Sequence, residues 1–378
     1  MQEPDCLDAP AQRALIDHLA GIRIENMPQA VMQAAQICGG TEIIGRVMAG
    51  MRGPGRLSLH ECLFYRVFDP KVTRTEVPRF LGQKMRSVQT LTLNSLEGRD
   101  VTYDKVLWDA EMGRAGLPRP HLKAVYGGER APAEAQMLAS RDEFAAFLGN
   151  PDNYPMVAKP NFGGRSLGLI RLEKLEPEGI RLHDGTVRPA SDVIEFCEDF
   201  GTKGYLFQDV LAPHPAVAAI TGGGLATLRV VILLDGQTPM IENLKMHIPG
   251  PNSLADTIWR GNSAGLLDPQ TGQMERVVRG SGLDLVELDS HPATGADLLS
   301  FQLPDFDKLT DLMARASAEF PLLRLQGWDI AVTDRGYVPI ELNFGGDVKL
   351  QQLCDGAGAM TPRYTELLKS AGYKGKLP

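Results

Sequence analysis

At 378 residues the chain is too long for one small hydrophobic core and predicts two or three domains. Hydrophobic residues at 43% and charged residues at 23% are typical of a globular protein. The formal net charge of -8 argues against a general nucleic-acid or anionic-membrane surface, so any phosphate binding has to come from a local cluster of Lys and Arg.

The five cysteines are widely scattered, include no C-x-x-C pair, and indicate neither a disulfide framework nor a zinc site. The amino terminus has no basic segment followed by an apolar one, and no apolar run is long enough to span a bilayer. We therefore expect a soluble protein of the reducing cytoplasm, with neither nucleic acid nor membrane as a partner.

The first predicted region, residues 1–93, is mainly helical. Apolar residues recur at helical spacing within residues 11–68, in two sets: Leu15, Ile16, Leu19 and Ile22, then Val31, Ala34, Ala35 and Cys38. Gly53-Pro54-Gly55 interrupts this pattern. It lacks the preceding strand and the third glycine of a phosphate-binding loop, so we interpret it as a plain loop.

The second predicted region, residues 94–205, mixes helices and strands. A helix begins at Tyr103-Asp104-Lys105 and runs to Gly113, because the segment that follows, 115–120, combines glycine with proline and stops a helix. Residues 121–126 read as a strand. Ser140 and Glu143 form a capping box for a short helix that ends near residue 148.

Residues 154–172 read as a strand ending at Lys159, a glycine-rich loop and a second strand. Gly164-Arg165-Ser166-Leu167-Gly168 formally matches the G-x-S-x-G nucleophile elbow, but that motif needs a strand directly before it and a helix directly after it. We instead predict a lid loop whose N–H groups, at Gly163, Gly164 and Ser166, fold over phosphates. Lys159 would then contact phosphate; the alternative is an exposed lysine at a strand end.

The third predicted region is residues 206–378. Residues 204–211 read as a buried strand, followed by an irregular stretch at 212–215. A strand-to-linker passage between two lobes can hold an adenine through backbone donors and acceptors. Two further strands, 225–234 and 240–246, flank a turn at 235–238, and pairing about Gln237 places Arg229 opposite Lys245. Two adjacent cations imply an anion between them, unless both side chains bend to solvent.

The long segment 249–280 is rich in turns, and a loop of that length is usually functional or disordered. Within it, Arg260 and Asn262 are candidate substrate contacts. A helix at 306–320 follows. Near the end, a glycine turn at 344–349 carries Asp347 and Lys349 as two more candidates, before a final helix that ends near residue 369.

Residues 327–343 predict a β-hairpin around an Asp-Arg-Gly loop of three residues. If Thr333 pairs with Tyr337, Asp329 lies directly opposite Glu341. Alternation then divides the side chains between two faces. One face takes Ile330, Val332, Val338, Ile340 and Leu342, and the other takes Asp329, Glu341 and Asn343.

Two acids facing each other destabilise a sheet unless a positive group lies between them. Asp329, Glu341 and Asn343 offer only hard oxygen ligands, which suit Mg²⁺ shared with substrate phosphates. The alternative is an ordinary solvated polar face. We favour the metal, because the polar face holds both acids in register and is poor in Lys and Thr.

In combination and in this order, the segments resemble the ATP-grasp superfamily over about residue 94 to the carboxyl end. The resemblance rests on Lys105 at the helix start, the segment 116–120, Val157-Ala158-Lys159-Pro160-Asn161 with its glycine loop, and Asp329 with Glu341-Leu342-Asn343. Residues 227–231 and 327–331 are similar to its sugar-transfer-associated branch.

The resemblance implies an α+β ATP-grasp fold in which two lobes clasp ATP, preceded here by the helical region. Lys105 and Lys159 would contact the nucleotide phosphates, and Asp329, Glu341 and Asn343 would hold Mg²⁺. The adenine-contacting linker would be Gln208, Asp209, Val210 and Leu211. The family's ribose-contacting acid has no counterpart in the matching stretch 212–215, which leaves His214 as the residue in its place.

The resemblance further implies an amide-forming ligase that acts on small-molecule carboxylate and amine substrates through an acyl phosphate and releases ADP and phosphate. Arg229 would stabilise the transferring phosphoryl group, and Lys245 with it would dock the substrate carboxylate. A homodimer is the candidate assembly. A phosphotransferase and a non-catalytic ATP-binding module remain as alternatives, because both would use the same residues.

Overall fold

The computed structural model describes residues 7–10, 12–13, 24, 26–164, 166–200, 203–250, 253, 258 and 261–378. Within these residues the chain forms a helical amino-terminal region followed by two seven-stranded sheets. In this part of the chain, no helix is both long enough and apolar enough to cross a membrane.

The amino-terminal region is helical, as predicted. Its helices are α1 (Met27–Cys38), α2 (Gly40–Arg52), α3 (Leu59–Phe64) and α4 (Gln83–Leu93). The first predicted apolar set, Leu15 to Ile22, lies outside the described residues. Gly53-Pro54-Gly55 follows α2 as a structural loop, where a Cβ on Gly55 would meet the carbonyl oxygen of Phe80 at 1.8 Å. Only glycine permits that close backbone approach.

The first sheet has the strand order β2-β1-β7-β3-β4-β5-β6. Its strands are β1 (Leu122–Tyr126), β2 (Gln136–Leu138), β3 (Met156–Pro160), β4 (Ile170–Glu176), β5 (Gly179–Leu182), β6 (Val187–Arg188) and β7 (Tyr205–Asp209). The accompanying helices are α5 (Asp100–Tyr103), α6 (Lys105–Arg114), α7 (Arg141–Leu148) and α8 (Ala190–Phe200). The predicted boundary between 205 and 206 falls inside β7. β7 pairs with both β1 and β3 of the first sheet.

The second sheet has the order β12-β11-β10-β9-β8-β13-β14. Its strands are β8 (Thr227–Asp235), β9 (Thr238–Ile248), β10 (Ser263–Leu267), β11 (Met274–Arg279), β12 (Val286–Glu287), β13 (Leu325–Thr333) and β14 (Gly336–Asn343). Its helices are α9 (Pro215–Thr221), α10 (Phe306–Ala318), α11 (Val348–Asp355) and α12 (Pro362–Ser370). The irregular loop predicted over 249–280 is wrong from Ser263 onward, since β10 and β11 pair there.

Side-chain alternation on β8 and β13 leaves part of one sheet face for the site. Leu228, Val230, Trp328 and Ile330 point into the main core, which α10 closes with Leu309 and Met313. On the opposite face, Val231 and Leu233 are covered by α4, α11 and α12. Arg229 and Asp329 project on that same opposite face, where their side chains are 16% and 17% exposed.

Candidate active site

The β13–β14 hairpin brings Asp329 opposite Glu341, as predicted, but by a different route. Its turn has two residues rather than three, so Thr333 pairs with Gly336 and the predicted pairing of Thr333 with Tyr337 is wrong. A β-bulge between Ile330 and Asp329 then shifts the register by one residue and restores the pair of acids. The acids face each other because of the bulge.

The bulge also changes which apolar residues lie on the site's face. Val338 and Ile340 were predicted beside Ile330, but they form a separate small cluster with Leu211 and Ala331. Ile330, Val332 and Leu342 stay in the main core, as predicted. The face that carries the acids therefore continues into an apolar wall next to the linker after β7.

Arg229 is the positive group that faces the acids. Its Nε donates to Asp329 Oδ1 at 2.6 Å and its Nη2 donates to Asp329 Oδ2 at 3.1 Å. Burial opposes the charge on the guanidinium, but Asp329, Asp347 and Glu341 outweigh burial and raise its pKa. Asn343 Nδ2 also donates to Asp329 Oδ2, at 3.2 Å. Asp329 is thus held by two neighbours through both carboxylate oxygens.

Glu341 differs from Asp329 because its carboxylate has no hydrogen-bond or ion-pair partner among the described residues. It is half-buried at the edge strand of the sheet. The amide of Asn343 donates from its NH₂ group to Asp329, and its oxygen accepts no hydrogen bond from a described residue. Two hard oxygen donors are therefore available side by side, and this set fits Mg²⁺, which is usually bound through one or two carboxylates together with substrate phosphates. No group of three His, Cys, Asp or Glu side chains suited to a metal occurs in the described part of the chain.

Lys159 from the first sheet faces these acids. Burial and the charge of Lys105 lower its pKa to about 8, against the opposing effect of Glu341, Asp109 and Asp329. The described residues offer Lys159 Nζ no hydrogen bond or ion pair. A half-buried lysine without an anion, coupled to acids of the other sheet, marks a cleft that a negatively charged ligand would complete.

Lys105 lies at the start of α6, as predicted, with Asp104 as the capping residue that accepts from Leu107 N at 3.0 Å. Its Nζ donates to the carbonyl oxygen of Gly163 at 2.8 Å, and Asn161 Oδ1 accepts from Val106 N at 2.9 Å. These bonds fasten the helix start to the beginning of the glycine loop. Lys105 is thus placed within reach of both the loop and Lys159.

The glycine loop is exposed between β3 and β4, as predicted. Gly163 and Ser166 have φ of 142° and 57°, and a Cβ on Gly164 would meet nothing within 4 Å. Because a strand rather than a helix follows the loop, the rejection of a nucleophile elbow is confirmed. Arg165 lies outside the described residues.

The linker that follows β7 leads past the apolar cluster. Gln208 is buried inside the sheet, and Asp209 pairs with Lys123 Nζ at 2.9 Å, so both side chains serve the first lobe. By contrast, the backbone groups of Val210 and Leu211 have no hydrogen-bond partner within the described ranges. His214 caps α9 by accepting from Ala216 N at 3.1 Å through Nδ1, which leaves Nε2 open.

Lys245 lies opposite Arg229, as predicted, although its hairpin also has a two-residue turn corrected by a bulge. Each of these two cations contacts its own acid, Asp329 for Arg229 and Asp355 for Lys245. Lys245 Nζ lies 2.5 Å from Asp355 Oδ1 and donates to Asn243 Oδ1 at 2.5 Å, and the side chain is only 1% exposed. It therefore stabilises the attachment of α11 to the sheet.

The candidate substrate residues fall into different places. Asn262 is buried and its Oδ1 accepts from Gly250 N at 3.0 Å, which is a structural role in the loop. Arg260 lies outside the described residues. Asp347 caps α11 by accepting from Leu350 N at 3.2 Å, and both Asp347 and Lys349 line a large cavity beside Arg229.

Sequence reasoning missed Asp109 and Arg119. Asp109 is 1% exposed, and Arg119 Nε donates to its Oδ2 at 3.2 Å. Burial raises the pKa of Asp109, and its charge is felt at Lys159. The signal was present: Asp109 follows Lys105 by four residues on one helix, so both fall on the same helix face.

Lys159 of the first sheet is coupled electrostatically to Glu341 and Asp329 of the second sheet. The family model for sugar-transfer-associated ATP-grasp proteins matches residues 85–367, which is more than half of the chain. The chain belongs to this family. The expected α+β fold class is thereby confirmed, together with its helical amino-terminal region.

Solved structures of low sequence identity match part of the chain with TM-scores below 0.5. Biotin carboxylase from Campylobacter jejuni, in a complex with β-γ-ATP, is 13% identical over 76% of this chain and 49% of its own, with a TM-score of 0.43. D-alanine–D-alanine ligase from Helicobacter pylori is 13% identical over 74% of this chain and 62% of its own, with a TM-score of 0.38. The ATP-grasp ligase PsnB, complexed with a minimal precursor, is 15% identical over 73% of this chain and 63% of its own, with a TM-score of 0.38.

The chain thus spans about half to two thirds of the length of these proteins. No curated protein matches the chain.

Proposed function

We propose that the protein is an ATP-dependent carboxylate–amine ligase that forms an amide through an acyl phosphate. The observation that carries the proposal is the unsatisfied charge across the cleft. Lys159 and Glu341 come from different sheets, are coupled electrostatically, and have no ion-pair partner within the described residues. A magnesium nucleotide would supply the missing anion to the lysine and the missing cation to the carboxylate.

The nucleotide base would lie at the linker. The backbone groups of Val210 and Leu211 bond to no described residue, and Leu211 packs with Ala331 and Val338 to form an apolar wall. Pockets for small ligands combine an apolar lining with a few polar groups of this kind. His214 lies three residues beyond Leu211 along the chain, and we propose its Nε2 as a ribose contact in place of an acid.

The phosphates would extend from there toward Lys105 and Lys159, under the glycine loop. The two ammonium groups would neutralise the charge that develops on the γ-phosphoryl group, and closure of the loop would exclude water. Glu341 and the oxygen of Asn343 would hold Mg²⁺, with Asp329 beside them. When bound, the ion neutralises phosphate oxygens and fixes their orientation.

The reaction would proceed in two displacements. In the first, a substrate carboxylate oxygen attacks the γ-phosphorus, and the bond to the bridging oxygen breaks so that ADP leaves. In the second, an amine nitrogen attacks the carbonyl carbon, phosphate leaves, and the ammonium proton passes to solvent or phosphate. Arg229 lies beside Asp329 and would stabilise the transferring phosphoryl group. The two hydrogen bonds to Asp329 keep its guanidinium in a fixed plane.

The test is ADP formation with panels of acids and amines, combined with mass spectrometry of the joined product. We expect Lys159→Met and Glu341→Gln each to lower the rate at least about 100-fold, because each removes a charged group from the transition state. Lys369→Met and Glu366→Gln make the same charge changes on the exposed face of α12 and should leave the rate unchanged.

The fate of the phosphoryl group separates the ligase from its alternatives. Release of inorganic phosphate together with an amide product supports the ligase. Phosphate retained on the product would identify a phosphotransferase, and MgATP binding without ADP release over the whole panel would identify a non-catalytic module. Full activity of the Lys159 or Glu341 variant would remove the site assignment.

A further inference from the structure

A cavity of about 1290 Å³ lies between the helical amino-terminal region and the candidate active site. Its floor includes Arg229 and Asn343, and its walls include the segment 344–347 together with residues of α3 and α4. The sequence predicts no role for residues 1–93. In the structure, part of this region borders the end of the candidate active site that carries Arg229 and Asn343.

The lining of the cavity is strongly basic in a protein whose formal net charge is -8. Among the described residues, its six cationic side chains outnumber its two acids. The cations are Arg56, Lys84, Arg86, Arg99, Arg229 and Lys349. A concave surface of one sign concentrates ligands of the opposite sign.

Both acids of the lining accept hydrogen bonds from backbone groups, and neither forms an ion pair with Arg56, Lys84 or Arg86. Glu61 Oε1 accepts from Gln83 N at 2.6 Å, and its Oε2 accepts from Ser58 N at 2.7 Å. Asp347 Oδ1 accepts from Leu350 N at 3.2 Å. Both acids therefore act as helix caps that shape the wall.

Three of the cations have no side-chain partner in the described part of the chain. Arg56, Lys84 and Arg86 make no side-chain hydrogen bond or ion pair with any described residue. Arg86 is half-buried, whereas other arginines with comparable burial are paired: Arg119 with Asp109 and Arg276 with Glu287. A half-buried arginine without an acid suits an anion that arrives with the substrate.

We propose that this cavity binds the acid substrate, and that the substrate is a polyanion. One carboxylate lies at Arg229, where it is activated, and a second anionic group, a carboxylate or a phosphate, is bound by Arg56, Lys84 and Arg86. The cavity of about 1290 Å³ has room for an acid larger than a single amino acid. The inference rests on the proposed ligase function and adds the substrate class to it.

The experiment uses isothermal titration of the full chain with citrate and, separately, inorganic pyrophosphate, at constant ionic strength. The variant is Lys84→Gln/Arg86→Gln. The control is Lys374→Gln/Lys376→Gln, which removes the same charge from exposed positions outside the cavity. MgATP affinity is measured for all three proteins. The two probes distinguish carboxylate from phosphate as the second group.

We expect wild type and control to bind one of the probes, and the Lys84/Arg86 variant to bind it about tenfold or more weakly, because charge-assisted contacts are lost. MgATP affinity should be the same in all three proteins. Equal probe affinity in variant and wild type, or no binding of either probe, would overturn this inference but not the ligase proposal. Competition between the probe and MgATP would also overturn it, since the anion would then occupy the nucleotide phosphate site. Absence of MgATP binding would overturn the ligase proposal, on which the inference rests.

Discussion

The second sheet carries two hairpins built in the same way, and they serve different purposes. In both, the turn has two residues and a bulge shifts the register by one, which brings like charges opposite each other. Lys245 on the β8–β9 hairpin is 1% exposed and bound to Asp355 of α11. Glu341 on the β13–β14 hairpin is half-buried and has no partner among the described residues.

The position of each strand in the sheet explains the difference. β9 lies inside the sheet and α11 packs against it, so a charge there needs an internal counterion. β14 is an edge strand that faces the cleft, so its charge can remain without a protein partner. Arg229 lies between the two, with a side chain 16% exposed and bound to Asp329. In this sheet, two like charges on opposite residues of neighbouring strands therefore indicate a functional site only where no helix packs over the strands.

The largest expected effect is a loss of stability when the charge on the β8–β9 hairpin is removed. Lys245→Met leaves Asp355 without its counterion, and we expect a loss of about 3 kcal/mol in the free energy of unfolding, measured by urea denaturation. Adding Asp355→Leu should recover most of this loss, because no unpaired charge then remains. A loss in the single variant that the double variant does not recover would contradict the role of the ion pair.

Arg229→Lys tests a position where we expect a loss of activity rather than of stability. The substitution keeps the charge but loses the two-pronged contact with Asp329, so we expect ADP formation to fall about thirtyfold with little change in the urea midpoint. Arg324→Lys, at a partly exposed pair with Asp235 outside the site, is the control and should retain its rate. An unaffected rate for Arg229→Lys would show that geometry at this position is not used.

The turns offer a smaller test of the register. Gly336 begins β14 with φ of 98°, a backbone conformation that disfavours other residues, and nothing lies within 4 Å of its potential Cβ. We expect Gly336→Ala to lower the free energy of unfolding by about 1 kcal/mol through backbone strain alone. Gly40→Ala, in α2 at a residue without a positive φ, is the control and should not destabilise the protein. Equal stability of the two variants would contradict the strain.

The smallest effect concerns protons. Because the pKa of Lys159 is about 8 in the free protein, anionic phosphates should raise it toward its usual 10.5 and cause proton uptake when MgATP binds at pH 8.5. Affinity for MgATP should therefore fall as pH rises above 8. Titration calorimetry in two buffers of different ionisation enthalpy measures the uptake, and Lys159→Arg, which stays charged, should abolish it.

For the free protein, the rise in pH that weakens MgATP binding increases the stability of the folded state. The unfolded state binds this proton more tightly than the folded state, so the contribution of Lys159 to the free energy of unfolding rises between pH 8 and 10.5. Proton uptake that persists in Lys159→Arg would assign the titrating group elsewhere.

Alternation and spacing in the sequence were enough to predict most elements that carry the site. The strand before Lys159, the glycine loop, the helix at Lys105 and both hairpins were predicted and are present. The opposed pairs were also found, although both turns were assigned one residue too many. Turn length and bulge position depend on backbone hydrogen bonding across strands, which a linear pattern does not record.

The sequence by itself determined the residues that alternate onto one sheet face and the chemistry that they offer: acids and an amide on one hairpin, basic groups on the other, and a lysine before a glycine loop. Only the tertiary structure decided which of these charges are neutralised internally. Whether Lys245 contacts Asp355 or a substrate, and whether Arg86 remains unpaired above the active site, depends on which helices pack over each strand. Those contacts join residues more than a hundred positions apart, so local patterns in the chain carry no record of them.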